Sequence, residues 1–440
     1  MGGMKSVVIL GSGMAAWGAY DRLESNGLIP TLYDAKAVAG GHTASYRLES
    51  GFVFDDGPHI SFTKHQEIID LFEESVDGNY VAFSANVDNY YEGTWVEHPA
   101  IVNLYDLPPE LVDSIINDFK AVHGKEPESL DNYMQWLIAA YGKSYAEKFP
   151  AKYGMKYHTC PANVMNLDWM GPRLYQPDLD EVIRGAKTKQ SANAHYIKEF
   201  RYPTDGGFQS YLDKFIKKSN PLLSHEAVSI DPKNKLIRFS NGVTTHYDEL
   251  ISSVPLPIII PMFEDVPDDV SRAAKKLSCS QCVLVNLGID RDDLSPAHWR
   301  YVYDLDLASV RLSFPHMFSP TVAPPGHGAI QIEVYFSDKY KPFDGDIEKV
   351  VSEVIENLRV MRIIKDSDNI VFQEGRYAPW GNIIFDLDTN ESLRRVHAFL
   401  DENNIKYCGR YGDWAYIWTD ESYLSGQMAA QRVLDGALEF

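Results

Sequence analysis

Cysteine is scarce: the chain carries four in 440 residues. Four thiols over that length do not make a disulfide framework. Cys279 and Cys282 have the spacing of a metal or redox pair, but they adjoin the strand pattern Val283-Leu284-Val285-Asn286-Leu287. Residues three apart on a strand face opposite sides, so no metal site is expected. Long apolar runs are also missing. No stretch of about 18 uninterrupted apolar residues occurs, which argues against a membrane span. The first residues lack the layout of a signal peptide, because Val7 to Leu10 already reads as a core strand; the expected compartment is cytoplasmic. Positive charge is in deficit, with 41 Lys and Arg against 62 Asp and Glu, a net charge of -21. Such a surface repels nucleic acid and anionic membrane, and an anionic small molecule would need local cationic residues in its pocket. No internal repeat or low-complexity stretch is evident.

What is present is a packed globular composition, 45% hydrophobic and 12% aromatic, long enough for two or three subdomains. Its most informative feature is Val7-Val8-Ile9-Leu10-Gly11-Ser12-Gly13-Met14-Ala15-Ala16, with Asp34 closing Pro30-Thr31-Leu32-Tyr33. The pattern reads as a buried strand, a glycine turn, a helix over about 15–26 and a second strand ended by an acid. Gly11 and Gly13 let the backbone approach a pyrophosphate, the start of the helix at Met14 and Ala15 faces the phosphates, and Ala16 lets helix pack on strand. The carboxylate of Asp34, beside Ala35, can accept hydrogen bonds from a ribose. A second glycine pair, Gly40-Gly41-His42, suits a backbone passing close to bound FAD rather than NAD. Gly57-Pro58-His59 reads either as a surface turn or as a narrow turn against an isoalloxazine ring that His59 contacts. Near the C-terminal end, Cys408-Gly409-Arg410 leads to a helix starting around Asp420, Ser422 and Tyr423 and running to about 438. The amides at such a helix start would face the flavin edge, unless Asp420 or Ser422 simply caps it.

Residues 1–75 are expected to form the first segment of an FAD-binding domain, 76–199 a mostly helical substrate and lid subdomain, and 200–265 a second FAD-binding segment. Residues 266–375 alternate apolar and polar residues as a sheet platform, and 376–440 return to the cofactor. Helices are expected over 108–123, 129–141, 144–152, 178–186, 207–218 and 347–361. The stretch 185–194 is small and polar, the composition of a lid or of a plain surface loop. The fold class is therefore α/β: a Rossmann-like FAD-binding domain split in sequence, with a helical substrate subdomain and an antiparallel β-sheet platform.

These blocks resemble UDP-galactopyranose mutase, within the wider FAD-binding clan of amine oxidases and protoporphyrinogen oxidases. Trp95-Val96-Glu97-His98-Pro99 with Asn103 and Leu107-Pro108, Tyr153-Gly154-Met155-Lys156, Trp169-Met170-Gly171-Pro172-Arg173, Phe200-Arg201-Tyr202-Pro203-Thr204-Asp205-Gly206-Gly207 and Gly409-Arg410-Tyr411-Gly412-Asp413-Trp414-Ala415-Tyr416 carry the likeness. The resemblance implies non-covalent FAD that is active when reduced, with NAD(P)H compatible as reductant. It implies a nucleotide-sugar substrate interconverted between pyranose and furanose forms through reduced-flavin N5 attack on the anomeric carbon. It places Arg311, with Lys187 or Arg184 of a lid, on the substrate diphosphate and Tyr377 and Tyr416 near it. Trp95, His98, Asn103 and His158 fall at substrate-reading positions, and Val228 near the adenine. Arg311 is otherwise a surface ion pair, and Tyr416 core.

The chain departs from that family where substrate is read. His158 replaces a tryptophan, His98-Pro99-Ala100-Ile101-Val102 lacks a tyrosine hydroxyl and a glutamine amide, and Ala378 precedes Pro379 where a tyrosine is usual. A substrate other than plain UDP-galactose is implied. The alternative is an oxidase or dehydrogenase of the amine oxidase or protoporphyrinogen oxidase type acting on a small molecule. A homo-oligomer is compatible with either.

Overall fold

The structure, a computed structural model, describes residues 5–127, 129–170, 175–189, 197 and 199–438. Val7–Leu10 is apolar at every position and buried along its length. That is the signature of a strand covered on both faces. It pairs in parallel with Thr31–Tyr33 on one side and Glu249–Ser252 on the other, and Ile405–Tyr407 extends the sheet beyond Glu249–Ser252. One parallel sheet is thus assembled from three stretches far apart in sequence. The helix Met14–Glu24 follows the first strand, and the last helix, Thr419–Leu438, packs along it. Two glycines make that contact: a Cβ on Gly18 would lie 1.9 Å from the carbonyl oxygen of Tyr423, and one on Gly426 1.9 Å from that of Ala15. Both ends of the chain therefore meet at the glycine turn.

The platform has seven strands in the order Ile370–Ala378, Gln281–Ile289, Gly328–Phe336, Arg311–Ser313, Trp299–Val302, Val87–Tyr91, Thr94–Glu97. All neighbours are antiparallel except Trp299–Val302 with Val87–Tyr91, which run parallel. Two of these strands, and Tyr80–Ser84 paired with Glu199–Pro203, come from the stretch read as mostly helical. Strict alternation gives the sheet two faces. Val283, Val285, Leu287, Ile330, Ile332 and Val334 enter one core with the helix Ile347–Val360. Their neighbours face the other way, toward the parallel sheet.

Five helices, Pro109–Val122, Tyr133–Tyr141, Lys143–Lys148, Pro150–Tyr157 and Leu179–Lys187, gather round a third core containing Phe119, Leu137 and Phe149. The helix expected from residue 129 starts at Tyr133, because the Asn132 side chain accepts from the Gln135 amide at 3.1 Å and caps it there. The helix expected over 144–152 is two, broken where Pro150 removes a backbone donor. The expected 207–218 helix opens as a 3-10 turn, Phe208–Leu212, and becomes α-helical only over Asp213–Ser219. Lys156 is buried, and its ammonium donates to the carbonyls of Val302 (3.0 Å), Asp304 (2.8 Å) and Ser309 (2.7 Å). Every proton of that group lands on the turn leading from Trp299–Val302 to Arg311–Ser313.

Candidate functional site

A cavity of about 710 Å³ lies between the parallel sheet and the platform, lined by both. On the sheet side it is bounded by Gly11, Gly13, Met14, Ala15, Asp34, Ala35, Gly40, Gly41, His42, Gly57, Pro58, His59, Gly409, Arg410 and Ser422. The first helix starts there without a side-chain cap, which leaves its first amides for a ligand. Gly409, at φ +75°, closes the opposite wall so tightly that a Cβ would lie 2.8 Å from that of Ala15. Asp34 accepts from Ser12 Oγ at 2.5 Å and from the Lys36 amide at 2.8 Å, which fixes its carboxylate at the end of the second strand. Val254, Pro255 and Ile258 add an apolar wall. Uncapped amides, an anchored acid and an apolar wall fit the phosphates, ribose and base of a dinucleotide such as FAD.

His59 Nδ1 lies 2.8 Å from the Gly57 carbonyl, so that ring nitrogen carries the proton and donates. Burial lowers the His59 pKa to about 4, and burial followed by Lys36 lowers that of His42 to about 3. Both rings are neutral near pH 7. Arg410 donates through Nε (3.1 Å) and Nη2 (2.7 Å) to the Ile417 carbonyl and lies 5.2 Å from the centre of the Tyr416 ring. Behind the glycine-proline turn, Asp55 accepts from Ser45 Oγ (2.6 Å), Tyr202 Oη (2.7 Å) and the Phe208 amide (3.0 Å). Burial nevertheless raises its pKa to about 6.

The platform side is built by register. Tyr301 pairs with Arg311, Arg311 with Glu333, and Glu333 with Leu284, so these four side chains form one row on the cavity face. A parallel row brings Trp299 opposite Ser313, and another brings Tyr335 opposite Cys282 and Ala378. Arg311 Nη2 donates to Glu333 Oε1 at 2.8 Å while its Nε bonds Oε2, and the Tyr335 hydroxyl donates to Oε1 as well. From the helical layer Tyr157 Oη meets Tyr416 Oη at 2.8 Å and donates to Asn382 Oδ1 at 2.9 Å. The cavity is thus aromatic on its platform side, with one ion pair set into the floor.

Several expected site residues lie elsewhere, for reasons of phase. Tyr377 pairs with Val283 and so faces the far side of the platform, where it stacks on Phe343 with ring centres 5.6 Å apart. Trp95 pairs with Tyr90, whose face also holds Val302, and its ring lies 3.9 Å beneath the Arg300 guanidinium. Val228 is 48% exposed; its neighbour Ala227 lines the cavity instead. Ala16 is buried in the core behind the turn, and Tyr423 stands edge-on to Trp17 and donates to Asp21 at 2.9 Å. Asp420 is buried outside the lining.

His98 contacts Asn89 Oδ1 at 2.9 Å and rests on Tyr301, one layer behind the cavity. Asn103 donates to the Pro99 carbonyl at 3.1 Å within the helical core. His158 does not line the cavity and is buried between Tyr157 and Trp169, with Nδ1 unpartnered. Arg184 and Lys187 are exposed on Leu179–Lys187 and do not line the cavity. Of the expected lid, residues 190–194 lie outside the described residues. Sequence reasoning missed Tyr157, Trp299, Tyr301, Glu333, Tyr335 and Asn382. One signal was available: Gln331, Glu333 and Tyr335 place polar groups at period two inside an otherwise apolar strand.

Residues 18–434 match the flavin-containing amine oxidoreductase family. Among solved structures, the chain is similar to a reduced UDP-galactopyranose mutase, with 25% identity and a TM-score of 0.92 over 98% of this chain and 94% of the other. It shares its fold with a protein from Exiguobacterium sp. 255-15 proposed to be a protoporphyrinogen oxidase, at 14% identity and a TM-score of 0.74 over 98% and 99% of the two chains. A redesigned putrescine oxidase has the fold too, at 14% identity and a TM-score of 0.64 over 98% and 99%.

Proposed function

The chain belongs to the flavin-containing amine oxidoreductase family, and from that premise we propose that it is an FAD-dependent mutase interconverting the pyranose and furanose forms of a nucleotide sugar. The observation that supports this reading most is the near-complete coincidence of its backbone with that of the reduced mutase. Gly11, Gly13, Met14, Asp34, Gly40, Gly41, Gly57 and Gly409 would hold the cofactor. When bound and reduced, FAD supplies an electron-rich ring that can exchange with a leaving group at a sugar carbon.

The protein then binds and orients. Arg311 offers a planar fork that matches a diphosphate in bidentate fashion. The Tyr157–Tyr416 pair, anchored on Asn382, presents hydroxyls to a polar ligand. Trp299, Tyr301 and Tyr335 exclude water, which strengthens each charged contact within the cleft. His59, held by Gly57, stays neutral and adds no charge beside the ring.

A second reading, oxidation of a small amine or other hydride donor, is favoured by one observation: Arg311 already has a carboxylate partner, in an aromatic cleft. Titrating nucleotide sugars into dithionite-reduced protein separates the two. Binding that strengthens on reduction, with ring-form exchange seen by chromatography, supports the mutase. Flavin bleaching by an amine without oxygen supports the oxidase.

A further inference from the structure

Glu333 is almost wholly buried, whereas the Arg311 side chain retains 23% exposure toward the cavity. The register fixes this pairing, because the two residues sit directly opposite on adjacent strands. The Nε–Nη2 edge of Arg311, one of the two edges on which a guanidinium binds side by side, is already on Glu333. That edge is one with which a guanidinium can hold a phosphate. Arg410, the other arginine of the cavity, commits the same pair of nitrogens to the Ile417 carbonyl. The Arg311–Glu333 pair is therefore neutral as it stands, while Arg410 keeps its charge against a neutral carbonyl.

We propose that Glu333 is an internal competitor for the Arg311 fork, and that a diphosphate ligand binds by displacing it. The inference rests on the mutase reading. Displacement keeps the guanidinium paired throughout, and the cost falls on the buried Glu333 carboxylate, which the contacts of the incoming anion must exceed. The released carboxylate retains the Tyr335 hydroxyl as a donor, since that bond comes from the same strand and does not involve Arg311. Glu333 then sets specificity by charge. A ligand must bring an anion able to replace it, so an uncharged analogue leaves the pair shut.

The test is binding of UDP and of uridine to the reduced holoprotein, by calorimetry, in wild type, Glu333→Gln and Glu333→Asp. Glutamine keeps the volume and the Tyr335 contact but removes the competing charge. It is expected to tighten UDP binding at least tenfold and to leave uridine binding unchanged. Aspartate keeps the charge on a shorter arm and should fall between. In an Arg311→Ala background, Glu333→Gln should no longer tighten UDP, because the effect runs through the arginine. Flavin absorbance of each variant reports that the site is intact. If Glu333→Gln retains its flavin yet binds UDP no tighter than wild type, the competitor role is wrong while the mutase reading stands. If no form binds UDP at millimolar concentration, the mutase reading fails and this inference with it.

Discussion

At the residue scale the decisive variable is which face a side chain takes. Arg311, expected to reach a diphosphate, does face the cavity; Tyr377, paired with Val283, takes the opposite face of the sheet. A one-residue change of phase on a strand inverts every side chain, and the sequence carries the alternation without the register that anchors it. Local turn chemistry was more legible. Gly11, Gly13, Asp34, Gly40, Gly41 and Gly57 all line the cavity, because the constraints there act within a few residues of chain.

Arg311→Ala should weaken nucleotide-sugar binding more than tenfold, since it removes a charge-assisted contact and leaves Glu333 unpaired; titration followed by flavin fluorescence checks it. His158 gives a separate expectation. Burial lowers its pKa from 6.5 to about 3, so the unfolded chain binds a proton that the folded one refuses between those values. Stability from this residue is present above pH 6.5 and is lost as pH falls toward 3. Between pH 7 and 5 the loss amounts to about 2 kcal/mol. His158→Phe should reduce the acid sensitivity by that amount in guanidinium unfolding at the two pH values, and an unchanged difference would count against it.

At the element scale, helices with strong apolar periodicity were readable to within a few residues, and their errors have local causes: Asn132 delays one start and Pro150 splits another. The strands at 87–97 were not readable as platform, because the partner that joins them to it, Trp299–Val302 beside Val87–Tyr91, lies some 200 residues away. The crossing of the first and last helices is the element on which the cofactor cradle depends. Gly426→Ala would drive a methyl into the Ala15 carbonyl, in the turn that begins the cradle. A cost of roughly 1–3 kcal/mol is expected for overpacking at such a contact. Because Ala15 lines the cavity, the variant should also release flavin at a lower temperature, measured as the onset of free-flavin fluorescence on heating. Equal onset in variant and wild type would refute the link.

At the scale of the whole molecule, the sequence made the split architecture legible through its two glycine-rich ends, which meet at one sheet. What it could not display was the sharing of the platform among stretches 87–97, 281–336 and 370–378. Membership of a flavin family and the built cradle lead to an expectation for the intact protein. It should purify yellow, and guanidinium should release all of the chromophore through a membrane that retains the chain. Colour left on the unfolded polypeptide would show covalent attachment. Restoring FAD to stripped protein should raise its Tm as the ligand concentration rises, since FAD is expected to favour the folded state.

The three carbonyl contacts of Lys156 have a mechanical consequence. They join the helical layer to the very turn that delivers Arg311, so those two parts must travel together as one block. Any breathing that admits a molecule to the aromatic floor has to occur along another seam.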